Sequence, residues 1–247
     1  MYLSPRLKEP VMQALYQDGT YFAGGEGSGY EDYLFQGKSL RITFRGFLTE
    51  MRKRGIAGGK LLEVGSGYGF FLAEAADFFP QQYGAELSEE GGSHARKISG
   101  APIHVGGLGS LPAHWKDFDT VVAINVIEHI YAPLDFLAAV RPRMKEDGTL
   151  VVATPNIGSL WYALMKKRWP SFKIPEHVAF YTKATLTRLL ERAGFSAIRE
   201  IPFLHAFPLG LIAAKFGVPL GGGLGARPIK LPGTMIALAA GGNNGHA

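Results

Sequence analysis

The chain has 247 residues, 47% of them hydrophobic, with a formal net charge of +5 and no cysteine. That is enough chain for one domain with a substantial core, and it excludes disulfides, thiolate metal sites and cysteine nucleophiles. The charge is modest and dispersed, so it suits an anionic small molecule or a membrane surface and does not point to nucleic acid; no stretch reaches the roughly 20 apolar residues of a spanning helix, and Met1–Lys8 lacks the apolar core of a signal peptide, so a cytoplasmic location is expected.

Residues 1–36 are rich in Gly, Tyr and Glu and read as irregular. The spacing of Leu40, Phe44, Phe47, Leu48 and Met51 predicts a helix over 38–54. Lys38, Arg41, Arg45, Arg52, Lys53 and Arg54 fill its other positions, as on a solvated face. From Lys60 strands and helices alternate. A strand Lys60–Val64 leads to a helix Phe70–Phe79, stopped by Pro80. A strand Gln82–Leu87 leads to a helix capped by Ser88, with Glu89 and Glu90 suited to its positive end. Pro102–Val105 is a short third strand, and Phe118–Asn125 a fourth, apolar on both faces. Pro133 opens a helix with Leu134, Leu137, Ala138 and Val140 inward and Gly148 past its end. Thr149–Ala153 is the fifth strand. Thr182 caps a helix with Leu186, Leu189, Leu190 and Ala193 inward and Gly194 beyond it. Ala197–Ile201 and Thr234–Ala239 are the last two strands, and Gly221–Gly223 reads as flexible.

This alternation implies a Rossmann-like, doubly wound α/β fold: a seven-stranded, mostly parallel sheet with helices on both faces and ligands at the strand C-terminal edge. The chain is expected to be one domain. It divides into an N-terminal cap (1–56), a cofactor-binding half (57–154), a substrate lid (155–181), a C-terminal half (182–240) and a flexible tail (241–247).

The strand–turn–helix run from Leu61 to Leu72 carries the strongest signal. Glycines at 65, 67 and 69 let the backbone bend and approach a ligand closely. A dinucleotide site wants G-x-G-x-x-G, and the position of the third glycine is Phe70, which would obstruct helix–strand packing there. Glu86, about 20 residues on at the end of the second strand, suits a pair of ribose hydroxyls in either cofactor type. Glu63, beside the turn, suits an amino-acid ammonium and would repel a pyrophosphate. Tyr21, Phe22, Tyr30 and Tyr33 read as an aromatic lid that favours a sulfonium cation or as packing residues of the glycine-rich segment.

The motif E-V-G-S-G-Y-G (63–69) resembles that of the class I S-adenosylmethionine-dependent methyltransferases, and the resemblance covers roughly residues 20–200. It is closest to the bacterial small-molecule and glycan-cluster type, near the ubiquinone-biosynthesis O-methyltransferases. Gly29-Tyr30-Glu31-Asp32-Tyr33 looks like the aromatic segment such enzymes lay over the cofactor. Asn125-Val126-Ile127-Glu128-His129 looks like their motif after strand four. Thr154-Pro155-Asn156, Pro175–Tyr181 and Leu186–Phe195 match later segments. The resemblance implies S-adenosylmethionine as cofactor, held by Glu63, Gly65, Ser66, Gly67, Tyr68, Gly69, Glu86, Leu87, Gly107, Leu108 and Asn125, with Tyr21 and Tyr30 above. It implies methyl transfer, at oxygen, to a small-molecule or glycan- or lipid-linked acceptor. Two departures stand out. Gly107 takes the place of an acid that many relatives use for the adenine amino group, and Met144–Gly148 replaces the usual L-K-P-G-G turn.

A hydroxyl acceptor gains from a general base, and His129 and His177 are the candidates, each alternatively a packing or loop-anchoring residue. Glu128 orients His129 or caps the following helix. With Asn125 where an acid would help, one carboxylate and one imidazole are too few for a tight metal site, and none is expected. The aromatic and basic run 161–169 and the apolar run 203–220 fit peripheral membrane contact or packing on the domain. Three other functions compete: an NAD-dependent oxidoreductase, an RNA methyltransferase, and a cofactor-binding partner module without catalysis. The second is disfavoured because Asn125-Val126-Ile127-Glu128 stands where base-modifying enzymes carry an N-P-P-Y type motif.

Overall fold

A computed structural model describes residues 1–17, 36–214 and 217–242. Its helices and strands, in chain order, are α1 (Glu9–Gln17), α2 (Gly37–Lys53), β1 (Lys60–Val64), α3 (Phe70–Ala75), β2 (Gln81–Glu86), α4 (Glu89–Ser99), β3 (Ile103–Val105), β4 (Phe118–Ile124), α5 (Pro133–Val140), β5 (Met144–Pro155), α6 (Leu160–Met165), α7 (Lys183–Arg192), β6 (Phe195–Glu200), β7 (His205–Pro208), α8 (Leu209–Ala214), α9 (Gly222–Gly225), β8 (Pro228–Leu231) and β9 (Met235–Gly242).

Seven strands form one sheet in the order β3-β2-β1-β4-β5-β9-β6, and β7 and β8 make a separate hairpin. The pairs from β3 through β5 are parallel, while β9 runs antiparallel to both β5 and β6. Successive strand residues face opposite layers. Leu61, Val122, Val151, Ala237 and Ala239 join Leu40, Phe44, Phe47, Leu48, Met51, Phe71 and Leu72 in one core. Leu62, Val121, Leu150, Val152, Ile236 and Leu238 meet Leu137, Val140, Leu186 and Leu190 in the other. Continuous apolar runs in β4, β5 and β9 follow from this double burial.

The expected caps are present. Ser88 Oγ accepts from Gly91 N at 3.2 Å, and Thr182 forms a capping box with Thr185. Several expectations need correction. Residues 1–36 are not wholly irregular, because Glu9–Gln17 is helical, with Pro10 in the first turn, where its missing N–H costs nothing, and Met12 buried. The helix after the glycine turn stops at Ala75, where Phe78 N and Phe79 N both donate to Ala75 O and tuck Phe79 inward. Gly148 does not end α5. It lies inside β5, which begins at Met144, and a Cβ there would fall 2.9 Å from Phe118 O. Gly222 belongs to the helical turn α9 rather than to an open linker, and the supposed tail begins inside β9, because Gly241 and Gly242 pair with β5 and β6. The β7–β8 hairpin was not foreseen. Its strands are four residues each, too short for a clear alternation.

The glycine turn is tied to the sheet and to α4. Gly65 N and Ser66 N donate to Ala85 O at 2.8 and 3.1 Å, and Gly69 N donates to Ser66 O at 2.8 Å. Gly69, at φ +80°, lets α3 pass so close to α4 that an added Cβ would sit 2.7 Å from Ala95 Cα. Gly69→Ala should therefore lower the free energy of urea unfolding by about 2–4 kcal/mol, combining backbone strain with overpacking. A loss below about 1 kcal/mol would show that α4 can move aside.

Candidate functional site

The chain leaves β1 toward β2 and β3, then returns to the other side of β1 as β4. That reversal opens a crevice at the C-terminal ends of β1 and β4, where doubly wound sheets bind ligands. A cavity of about 330 Å³ occupies it. One wall is Glu63, Val64, Gly65, Ser66 and Gly67, continued by Glu86, Leu87, Ser88, Gly106, Gly107 and Leu108. Asn125, Val126 and His129 follow from the end of β4. Met12 of α1, Leu40 and Phe44 of α2, Phe71, Tyr131, Phe136 and His205 complete the lining.

Gly65 and Gly67 both have positive φ, +72° and +51°. A Cβ on Gly65 would lie 2.5 Å from Val126 Cγ2, so this turn passes the loop after β4 at a distance only glycine allows. Gly67 N donates to Glu86 Oε2 at 2.7 Å and Ser88 N to Glu86 Oε1 at 3.0 Å, which aims the Glu86 carboxylate at the turn. Burial raises the Glu86 pKa, partly offset by these backbone donors. Glu63 is 3% exposed, and its Oε2 is buried with no hydrogen-bond partner among the described residues. Burial first, then the nearby Glu86 charge, pushes its pKa well above the carboxylate range. Ser66 Oγ is likewise buried and unpartnered. An ammonium brought by a ligand would supply the missing donor and favour the charged form of such an acid.

Asn125 adopts the left-handed conformation, φ +54°, with its N–H on Ala153 O at 2.8 Å. Short polar side chains tolerate that strain, and it turns the chain sharply at the crevice. The 3₁₀ turn Ile127–His129 follows. Val178 N and Ala179 N both donate to Glu128 O, so the segment after α6 is clamped onto this turn. The N-terminus locks the same segment, with Met1 O accepting from Phe180 N at 2.7 Å and Leu3 N donating to Val178 O at 2.9 Å.

His129 lines the cavity, and its Nδ1 lies 3.0 Å from Glu176 O. Only a protonated Nδ1 can bond a carbonyl, so Nε2 carries the lone pair. Burial, aided by the Lys173 charge, lowers the His129 pKa to about 4. His177 is 3% exposed, does not line the cavity, and packs its ring perpendicular to His129 at 4.7 Å between centroids. Its Nδ1 is buried without a partner among the described residues, and burial, then His129 and Lys173, lowers its pKa well below the usual value. Glu128, 1% exposed, accepts from Thr154 Oγ1 at 2.9 Å, and burial raises its pKa to about 7. Although no metal site is expected from the sequence, Glu128, His129 and His177 each bring one ligand atom within 4.8 Å of the others. Thr154 and Glu176 O already engage two of those side chains.

Of the cofactor residues expected from the sequence, Glu63, Gly65, Ser66, Gly67, Glu86, Leu87, Gly107, Leu108 and Asn125 share the cavity. Tyr68 and Gly69 do not. Tyr68 turns away, donating its hydroxyl to Glu90 at 2.7 Å and stacking on His94 at 4.4 Å, and Gly69 serves helix packing. Tyr21, Phe22, Tyr30 and Tyr33 lie outside the described residues. Met12, Leu40, Phe44, Tyr131, Phe136 and His205 line the cavity without having been singled out as site residues. Leu40 and Phe44 were visible as a helix's apolar stripe, but nothing local says that the stripe floors a crevice.

Residues 39–200 match the family model described as a methyltransferase domain. A probable S-adenosylmethionine-dependent methyltransferase of Mycolicibacterium smegmatis is 28% identical over 162 residues, 65% of this chain and 61% of that protein. A ubiquinone biosynthesis O-methyltransferase of Roseobacter denitrificans is 27% identical over 164 residues, 60% of this chain and 64% of that one. The matches thus span less than two thirds of these relatives' lengths. Among solved structures, a methyltransferase of Thermotoga maritima described as a possible histamine N-methyltransferase superposes with a TM-score of 0.62 at 18% identity, covering 87% of this chain and 94% of its own. Magnesium protoporphyrin IX methyltransferase of Synechocystis, with S-adenosylhomocysteine bound, also gives 0.62, at 13% identity over 96% of this chain and 100% of its own. At those identities the superpositions speak for the fold.

The buried acids give the protein a pH signature. Glu128 titrates near 4.5 when unfolded and near 7 when folded, so between those values the folded state holds a proton that the unfolded state has released. Its contribution to stability is present below 4.5 and lost as pH rises to about 7. Glu128→Gln should make the slope of unfolding free energy against pH less negative across that window. An unchanged slope would mean that Glu128 titrates as an ordinary carboxylate.

Proposed function

The chain belongs to the class I S-adenosylmethionine-dependent methyltransferases, and on that footing we propose that it transfers a methyl group from S-adenosylmethionine to the oxygen of a small-molecule acceptor. The observation that carries the reading is the Glu63 oxygen, unpartnered among the described residues, at the foot of a glycine turn.

In this reading Glu63 receives the ammonium of the amino-acid portion, and Asn125 approaches the same portion from β4. Glu86, already oriented by Gly67 and Ser88, accepts the ribose hydroxyls. Leu87, Gly107 and Leu108 flank the adenine, with backbone groups in place of the acid that many relatives carry. The cofactor supplies an electrophilic methyl on a sulfonium, an excellent leaving group, so the protein's task is mainly positioning. His129 Nε2 takes the proton from the acceptor hydroxyl. His177 acts on His129 by packing against its ring and fixing its plane, a positioning role rather than contact with the acceptor. The same buried acids argue against a nicotinamide dinucleotide, whose pyrophosphate would face Glu63 and Glu86.

The side of the cavity away from the glycine turn carries Met12, Leu40, Phe44 and Phe136 beside Glu9, Gln36 and Tyr131, which favours a ring or a lipid-linked group with few polar groups over a free sugar. Leu160 and Leu164 of α6, 72% and 69% exposed, stand next to Lys166, Lys167 and Arg168. That pairing supports peripheral contact with an anionic membrane carrying such an acceptor. The other half of the aromatic run favours packing, since Trp169 is buried and Trp161 Nε1 donates to Pro232 O at 2.8 Å. Among the described residues no helix is long and apolar enough to cross a membrane.

Calorimetric titration with S-adenosylhomocysteine tests the reading directly. Wild type should bind saturably and NADH should not. Gly67→Val should abolish binding while retaining the wild-type circular dichroism spectrum. Glu86→Ala should weaken binding by about 1–3 kcal/mol through lost charge-assisted hydrogen bonds; an unchanged dissociation constant would remove Glu86 from the site. Glu63→Gln should lose affinity yet raise the melting temperature of the ligand-free protein above pH 7, because it deletes an acid whose ionisation is free in the unfolded chain and disfavoured by burial in the fold. If the melting temperature falls instead, Glu63 is a structural acid. His129→Ala should slow turnover and spare S-adenosylhomocysteine affinity.

A further inference from the structure

His205 has no part in the motifs that define the family, yet it faces the same cavity as Gly65 and His129. It is carried by β7 of the hairpin outside the seven-stranded sheet. That hairpin is fixed to α2: Ala206 N donates to Thr43 Oγ1 at 2.8 Å in a buried contact, and the Phe203 ring packs on Phe47 at 4.5 Å. The imidazole is itself held between rings, stacked on Phe207 at 4.0 Å and edge-on to Phe203 at 6.2 Å. Neither ring nitrogen has a hydrogen-bond partner among the described residues. On the α1–α2 side the cavity lining is Leu40, Phe44 and Met12, with Glu9 and Gln36 as its polar members.

A polar ring set rigidly in an apolar wall, with unspent hydrogen-bonding capacity, is the arrangement by which small-molecule pockets fix orientation. Leaving it unmatched by the ligand costs affinity. We propose that His205 is an acceptor-binding residue, hydrogen-bonding a hydroxyl on a flat, largely apolar ring that lies against the α1–α2 side of the cavity. The proposal rests on the methyltransferase reading and adds the residue that selects the acceptor's polar group. Burial, with the Lys173 charge as a smaller cause, lowers the His205 pKa to about 4, so the imidazole is neutral near pH 7 and offers both a donor and an acceptor. The arrangement differs from that of His129, whose Nδ1 is committed to Glu176 O.

The test is a thermodynamic cycle on the full chain saturated with S-adenosylhomocysteine, using 2-naphthol and naphthalene as probes that differ by one hydroxyl. Wild type should bind 2-naphthol about tenfold or more tightly than naphthalene, the worth of one buried hydrogen bond. In His205→Phe, which keeps a ring on Phe207, that preference should fall to about onefold to twofold, and the S-adenosylhomocysteine constant should stay within about twofold. His205→Gln, which keeps a donor and an acceptor, should restore part of the preference. An unchanged preference in His205→Phe, or no binding of either probe by wild type, overturns the proposal while leaving the cofactor reading intact. Failure of wild type to bind S-adenosylhomocysteine overturns both.

Discussion

A carboxylic acid buried near the end of β1, with an oxygen unmatched among the described residues, is the constraint around which the site is organised. Glu63 sits in the middle of a parallel sheet, between β2 and β4, where water does not reach it freely. Such a group destabilises the ligand-free fold. The rest of the turn makes sense as the setting for a cation that relieves this. Gly65 and Gly67 remove side chains from the approach to Glu63, and Glu86 adds a second carboxylate whose two oxygens are already aimed by backbone donors. The strand order then does the rest, because the reversal between β1 and β4 opens a crevice at the sheet edge that can take a ligand.

How much of this was legible depended on whether the determinant was local. Lys60–Val64 has a strand's bounds on sequence alone because the glycines after it leave no alternative, and Ser88 and Thr182 cap the helices that follow them. Gly148 misled because a glycine after an apolar helical stripe reads as a cap. In the fold it is needed inside β5, where Phe118 O leaves no space for a side chain. Tyr68 misled for a similar reason. It stands within the glycine motif, but the turn that brings Gly67 to Glu86 swings Tyr68 outward onto His94 and Glu90. Motif membership and ligand contact are different properties, and only the backbone path separates them.

The half of the cavity proposed for the acceptor was illegible for a stronger reason. Its lining comes from α1, α2, the loop before α5 and the hairpin, elements far apart in sequence that no single motif spans. Met12 is brought in by a helix that composition hides, and His205 by a hairpin whose strands are too short for periodicity to show. This division is what an enzyme family with a shared cofactor and varied acceptors requires. The wall proposed for the cofactor is drawn from the ends of successive strands between Glu63 and Asn125, while the wall proposed for the acceptor is assembled from whatever the surrounding topology delivers.

The electrostatics of the two halves fit the same division. On the sheet side stand two carboxylates, Glu63 and Glu86. On the other side stand imidazoles, and burial holds His129 and His205 neutral near pH 7, their pKa values lowered to about 4. Had those histidines kept the ordinary value near 6.5, a fraction would be cationic at neutral pH and would repel a positively charged ligand from the shared space. The same burial raises the pKa values of Glu63 and Glu86, so a ligand cation at the glycine turn would draw both acids toward their charged form. The uncharged imidazoles meanwhile keep a lone pair that can accept a proton or a hydrogen bond.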